Sequence, residues 1–597
     1  MKFMDGVQIP LGKVLFLLLS FLMVKSYVKA VEYFEKGEGE VINVLDFGAI
    51  ANDGLDDTKY LRLAAEKART TPNSRLYFPS GEYHLSDPKA IKIQKAALSG
   101  KLGANPQDIL YRPNQAYIIG LDFEGAKGLT IDAEGVKLVC DGWMEPLSFR
   151  NAQDIILNGI TIDYEKRPNS YGEIINLGED FVDVKFPAEE KMTEEMLILR
   201  IMVYVNAKQS LVGQAVYHKN KKMIAPNTIR FWGEGIRKQS ELGRVLVTFS
   251  GFHYRPAILI YKTKGITLND VTIHAQAGMG IVGHLSKNIS LNRLKVIPPE
   301  GRYVSSNTDA THFSTNRGFI RFKDCEFAGQ GDDATNVHNY YAHIVSRPEE
   351  NICETFLGER EFTHSLYQDE PQVGDVLAVV QKSTLKEVGY IRVSDFEANP
   401  EERKVKITFE GRLPDDIDSY YLANMTACPS LEFINCKVKS HRARSVLVKT
   451  RKVLIENCSF ENTTGTAIHI GAEGNWGEGV ASEDVVVRNN RFSNCGLGGE
   501  NDGTIDGASA VAVHVNAQDR SVPGLHKRIL IENNKVIGGE HAISIKGAQD
   551  VIIRYNEFNE IEKEPIVVGA SEKVKAYENK GADAIGPPQD PILPNLW

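Results

Sequence analysis

Val453-Leu454-Ile455-Glu456-Asn457-Cys458-Ser459-Phe460 decides the fold. Its first residues read as a short period-two strand, Asn457 suits a bend, and Phe460 returns to apolar character. The same eight-residue pattern recurs at 155–162, 266–273, 289–296, 320–327, 431–438, 485–492, 529–536 and 551–558. Counting from the fifth position, Asp270 to Arg293 is 23 residues, Asn435 to Asn457 is 22, and Asn533 to Tyr555 is 22. A unit this short cannot bury its own apolar face, so units must stack. Period-two strands with polar bends predict an all-β chain wound as a right-handed parallel β-helix, its rungs about 4.8 Å apart. Asn side chains stacked at the bends would hydrogen-bond up and down the ladder.

Two intervals break the rhythm by the same amount. Gly159 to Asp270 is 111 residues, and so is Asp324 to Asn435. Each gap holds alternating strands, such as Phe181–Phe186 and Val245–Phe249 in the first and Val376–Val380 and Val405–Phe409 in the second. Two small β-barrel-like domains inserted between coils are expected. The resulting organisation is a cap with the first coils (31–164), an inserted β domain (165–257), central coils (258–339), a second inserted domain (340–427) and C-terminal coils (428–597). At the start, Asp57 or Thr58 reads as the N-cap of a helix over Lys59–Arg69. That helix would cover the open first rung.

Lys2 and Lys13 precede the apolar run Val14–Val24, and Val28-Lys29-Ala30 follows. This is the pattern of a signal peptide over 1–30, too short in its apolar part to span a bilayer, so export to the periplasm or medium is expected without a membrane anchor. The 597-residue chain has a formal net charge of −9. The first thirty residues carry four lysines and one aspartate, so the remainder stands at −9 − 3 = −12. An acidic surface argues against nucleic acid as a partner. The seven cysteines show no CxxC or His/Cys metal spacing, and no cofactor or metal is expected. Cys325, Cys436 and Cys458 share one repeat position and read as a stack of small buried side chains.

The chemistry concentrates in the central coils. Asn307-Thr308-Asp309 lies about one coil before Gly329-Gln330-Gly331-Asp332-Asp333-Ala334-Thr335-Asn336-Val337-His338. Stacking would gather Asp309, Asp332 and Asp333, and clustered carboxyls are what acid/base cleavage of a sugar linkage needs. Gly329 and Gly331 would leave room for substrate. Asp-Asp pairs at 56–57 and 415–416 have plainer readings as cap and turn. Asn307, His312, Asn336 and His338 are candidates for hydrogen bonds to sugar hydroxyls, and Trp476 for stacking on a sugar face. His441-Arg442-Ala443-Arg444 is a possible neighbour of the cleft.

The Asn-Thr-Asp and Gly-Asp-Asp pair resembles the polygalacturonase-type hydrolases, although that family's Gly-His-Gly and Arg-Ile-Lys motifs lack counterparts here. A fuller resemblance rests on Asp46-Phe47-Gly48-Ala49, Thr308–Phe313, Gly329–His338 and the paired β-rich insertions. These resemble glycoside hydrolase family 110. The resemblance implies a bacterial exo-acting α-1,3-galactosidase that removes terminal galactose from blood-group-B-type, and in some members linear Galα1-3Gal, glycans; an inverting course is what the polygalacturonase-type resemblance implies for the three Asp. It places the catalytic carboxyls at Asp309, Asp332 and Asp333. The working assignment makes Asp332 the acid and gives the water to Asp309 and Asp333, with divergence at the bend opening the 6.5–9.5 Å gap usual for inversion. Three other functions stay open at this point: a polygalacturonase-like hydrolase, a Ca²⁺-dependent polysaccharide lyase, and a non-catalytic glycan-binding adhesin.

Overall fold

In the computed structural model the described residues are 39–103, 117–205, 209–356, 370–399, 402, 404–498, 508–586 and 591–596. The expected signal peptide lies outside them.

The repeat's fifth residue is where each coil turns. Asp270, Arg293, Asp324, Asn435, Asn457, Asn489, Asn533 and Tyr555 all adopt left-handed backbone, with φ between 54° and 58°. Asn and Asp tolerate this region better than other non-glycine residues, which explains their frequency there. On either side of the bend, parallel ladders run the length of the molecule, as in Leu431–Ile434 on Val453–Glu456 and Ser459–Phe460 on Arg491–Phe492. A third parallel sheet closes the coil, in part through Ile258–Tyr261, Ile281–His284, Thr311–Ser314, Thr335–Tyr340, Val446–Val448 and Ile468–Glu473. One apolar core fills the coil from Ile42 to Ala576. Replacing Asn435 by Val should therefore cost about 1–2 kcal/mol through left-handed strain, and by Gly much less, as read from thermal midpoints.

The residue after the bend forms a column. Cys436 donates its backbone N–H to the Cys458 sulfur, and Cys458 donates its own to Asn490 Oδ1. From there Asn490, Asn534, Asn556 and Asn579 bond in series at 2.9–3.0 Å, each also donating to a backbone carbonyl. The described cysteines are all free thiols.

Both 111-residue intervals amount to a single rung. Ile266 pairs with Ile155, and Leu431 pairs with Ile320. The first insertion is a seven-stranded antiparallel sheet between edge strands Ser210–Leu211 and Asn220–Ala225. The second closes as a six-stranded barrel from Ala342–Glu349 to Tyr420–Asn424. Closure thus belongs to the second insertion; the first has its own core (Ile174, Val182, Phe231, Leu246) on one face. Its other face (Met202, Tyr204, Phe249) packs on Tyr303 and Val304 of the solenoid. The barrel packs through Ala378, Val380 and Leu385 against Ala472 and Val515.

The N-terminal helix spans Thr58–Thr70 and buries Leu61, Ala64, Ala65 and Ala68 in the solenoid core. Asp57 is its N-cap by position, but its carboxylate accepts from the Ile50 and His84 amides, and Asp56 takes the Thr58 amide instead. A second helix, Pro88–Leu98, starts on Asp87, whose side chain accepts from Lys89 N. Its Pro at the first position is a start signal that a repeat-centred reading passes over.

Candidate active site

The turns before two neighbouring strands of the third sheet, Thr311–Ser314 and Thr335–Tyr340, carry the acidic residues. Ala310 N donates to Asp333 O, and Thr311 pairs with Thr335, so Asp309 stacks on Asp333, a register of 24. The 23-residue spacing to Asp332 is not the structural one. Gly331 is required by its own neighbour: a Cβ there would sit 2.2 Å from the Asn307 carbonyl oxygen. It therefore serves the close approach of adjacent turns and not that of substrate.

The three carboxyls converge, with one oxygen of each within 4.8 Å of the others. That is closer than expected, because side chains on adjacent rungs project in parallel and do not diverge. Asp309 and Asp333 are buried, while Asp332 has a side chain 24% exposed and faces outward. Arg442 Nη1 lies 2.7 Å from Asp332, and Arg444 holds Asp333 through its backbone N–H at 2.9 Å and its guanidinium at 3.3 Å. Arg200, reaching in from the first insertion, donates to the Gly331 carbonyl and lies over the Phe252 ring. Beyond the trio, Arg444 also pairs with Glu473 at 2.8 Å. Fully buried Lys449 bridges Glu473 at 2.6 Å and Glu478 at 2.5 Å.

Charge is distributed unequally in this cluster. Burial opposes ionisation of Asp332, but Arg442, Arg200 and Arg444 together outweigh it and hold its carboxyl below the usual range. Burial, reinforced by the Asp332 and Glu478 charges, pushes Asp309 well up. Burial also pushes Asp333 up, to about 8, against the pull of Arg444. At neutral pH the resting protons therefore sit on Asp309 and Asp333 and not on Asp332, the reverse of the sequence expectation. Five carboxyls (Asp309, Asp332, Asp333, Glu473, Glu478) face four cations (Arg200, Arg442, Arg444, Lys449).

The predicted sugar-binding residues divide. Asn307 is buried and both its amide atoms are spent: Oδ1 accepts from Asn169 and Nδ2 donates to Gly251 O, which ties the first insertion to the solenoid. It is a fastener and does not reach a ligand. Asn336 is buried and donates to Glu478 at 3.1 Å. His312 and His338 are buried beneath the trio: His312 Nδ1 lies 2.8 Å from Asp309 Oδ2, and the two Nε2 atoms are 2.8 Å apart. Trp476 is 43% exposed at the tip of the hairpin whose ends carry Glu473 and Glu478. Of the predicted binders, it is the one that presents its ring to solvent.

His312, His338 and Glu478 offer atoms within 4.8 Å of one another, as the trio does. Those donors are already used inside the protein, since the imidazoles face each other and Lys449 sits on Glu478. Arg442 and Arg444 came from the His-Arg-Ala-Arg motif. Arg200, Lys449, Glu473 and Glu478 were missed; a lysine directly after Val446-Leu447-Val448 and a Glu on each side of Trp476 were the available hints.

The right handed beta helix region family matches residues 421–582. Alpha-1,3-galactosidase B of Bacteroides thetaiotaomicron is 25% identical over 484 residues, covering 76% of this chain and 75% of its own. Alpha-1,3-galactosidase A of Shewanella woodyi is 26% identical over 589 residues and 91% of each chain. The chain is homologous to the alpha-1,3-galactosidases. Among solved structures, the A-module of the Azotobacter vinelandii mannuronan C-5 epimerase AlgE4 aligns with 90% of this chain and all of its own, at 11% identity and a TM-score of 0.41.

Proposed function

We propose that this protein is an exo-acting glycoside hydrolase that removes terminal α-1,3-linked galactose from blood-group-B-type glycans. The observation that carries the reading is the trio Asp309, Asp332 and Asp333, two proton-bearing and one ionised, in a homologue of alpha-1,3-galactosidases. Cleavage needs a proton for the departing oxygen and a base for water. Asp332 is the trio member exposed to a bound sugar, so it delivers the proton, while Asp309 and Asp333 hold the water behind it. Asp332 rests ionised against Arg442. Binding of the sugar over the pair must loosen it and let the Asp309 proton pass to Asp332, leaving Asp309 ionised to accept a proton from water.

The inverting course is carried by the polygalacturonase-type resemblance, because the carboxyl spacing is tighter than the 6.5–9.5 Å usual for inversion. Exo action is what the family resemblance implies, and the signal-peptide pattern of residues 1–30 supports a reaction outside the cytoplasm. Incubating the protein with a blood-group-B oligosaccharide and following products by NMR should release galactose first seen as the β-anomer. Initial α-galactose would overturn the stereochemistry, and uronate products or none would overturn the substrate class. Exposed Trp476 stacks on the sugar chain in this reading. Trp476→Ala should raise KM a few-fold to about tenfold, the worth of one aromatic contact, with kcat little changed.

A further inference from the structure

We infer that the His312–His338 pair is a positioning device that stores the reaction's proton on Asp309. The inference deepens the hydrolase reading and rests on it for its catalytic meaning, and the hydrogen-bond directions through two buried, neutral imidazoles lead to it. His338 Nδ1 lies 2.9 Å from the Asn339 carbonyl oxygen, which can only accept, so Nδ1 carries the hydrogen. In neutral His338 the Nε2 atom is then a bare acceptor. The His312 Nε2 atom, 2.8 Å away, must donate to it. That leaves His312 Nδ1 without a hydrogen, facing Asp309 Oδ2 at 2.8 Å. Two acceptors cannot share that contact, so Asp309 supplies the hydrogen as a neutral carboxyl.

Burial keeps both imidazoles neutral, with His312 pushed down to about 4 and His338 to about 3. The other charged groups facing the pair are Glu478 and Lys449, alongside Asp332 on the next rung and Arg444 near Asp309. Glu478 favours imidazolium and Lys449 opposes it, and Lys449 is already bound to Glu478. In turnover the Asp309 O–H bond breaks, its proton passes to Asp332 and on to the leaving sugar oxygen, and the proton from water restores Asp309. The balance closes without any other reactant.

His338→Phe removes the acceptor, so His312 can turn its hydrogen to Nδ1 and donate to an ionised Asp309. His338→Gln restores an acceptor oxygen. Difference infrared spectra of ¹³C-aspartate-labelled protein at pH 7, with Asp309→Asn as the reference, should show a neutral carboxyl in the native chain and in His338→Gln. It should be absent in His338→Phe. Because Asp309 must be protonated for turnover, the basic limb of the kcat/KM profile should move down by at least one pH unit in His338→Phe and stay in place in His338→Gln. An ionised Asp309 in the native protein, or an unmoved limb in a folded His338→Phe, overturns the inference. The infrared arm reads without any substrate, so its failure is distinct from failure of the galactosidase reading.

Discussion

Asp332→Asn should lose about 10²–10⁴-fold in kcat, the usual worth of a positioned proton donor, and its thermal midpoint should fall below that of the native chain. The amide keeps the shape of the carboxyl but cannot cycle a proton. Stability falls because Arg442, Arg200 and Arg444 hold the Asp332 carboxyl below its usual range, so its charged form favours the fold and the amide withdraws that charge from them. Asp333→Asn should lose activity to a similar extent at little stability cost, since burial pushes that carboxyl up to about 8 and the neutral side chain is the one the fold favours. Purified variants assayed with a p-nitrophenyl α-galactoside and melted by calorimetry separate the two effects. Near-native turnover of both variants would remove the trio from the reaction.

Lys449→Met should be the most damaging substitution for folding. Lys449 has no exposed surface and neutralises two buried carboxylates at once. Removing one partner of a buried ion pair costs about 3–5 kcal/mol, and here two acids are left behind. Burial opposes ionisation of Glu473 and Glu478, yet Arg444 and Lys449 hold the first, and Lys449 the second, below the ordinary range. Their stabilisation is therefore present above the unfolded carboxyl pKa, about 4.3, and lost only as pH falls through the lower folded values. In Lys449→Met both acids are raised instead, so the folded state binds protons more tightly than the unfolded one and the penalty grows with rising pH. Melts at pH 5 and pH 7 should show the larger deficit at pH 7; an equal deficit at both would mean packing, and not charge, is what Lys449 supplies.

The scaffold was legible because its physics is periodic. Each coil must place an apolar column inward and a left-handed residue at the bend, so Asn435 and Asn457 announce the fold at fixed intervals. The equal 111-residue gaps likewise revealed that each insertion departs and returns within one rung. The site was legible only in part. Asp309, Asp332 and Asp333 stand in a turn that the repeat predicts, but the 24-residue register that stacks Asp309 on Asp333 depends on how the turns bulge. Asn307 looked like a ligand because a buried amide fastening two domains has the same residue type as one binding sugar. Arg200 left no mark, since its position is set by how a separate sheet packs on the solenoid. The ionisation order was hidden for the same reason: the arginines that set it arrive from other coils and from the insertion.

Because each insertion begins and ends on neighbouring rungs, the chain passes from one coil to the next there whether or not the excursion is made. Lengthening, trimming or exchanging either excursion would leave the apolar column continuous and the acidic turns in place. Each excursion can thus vary without disturbing the repeat that carries the carboxyls. Arg200 is the exception, the tie by which the first excursion also governs the charge beneath it.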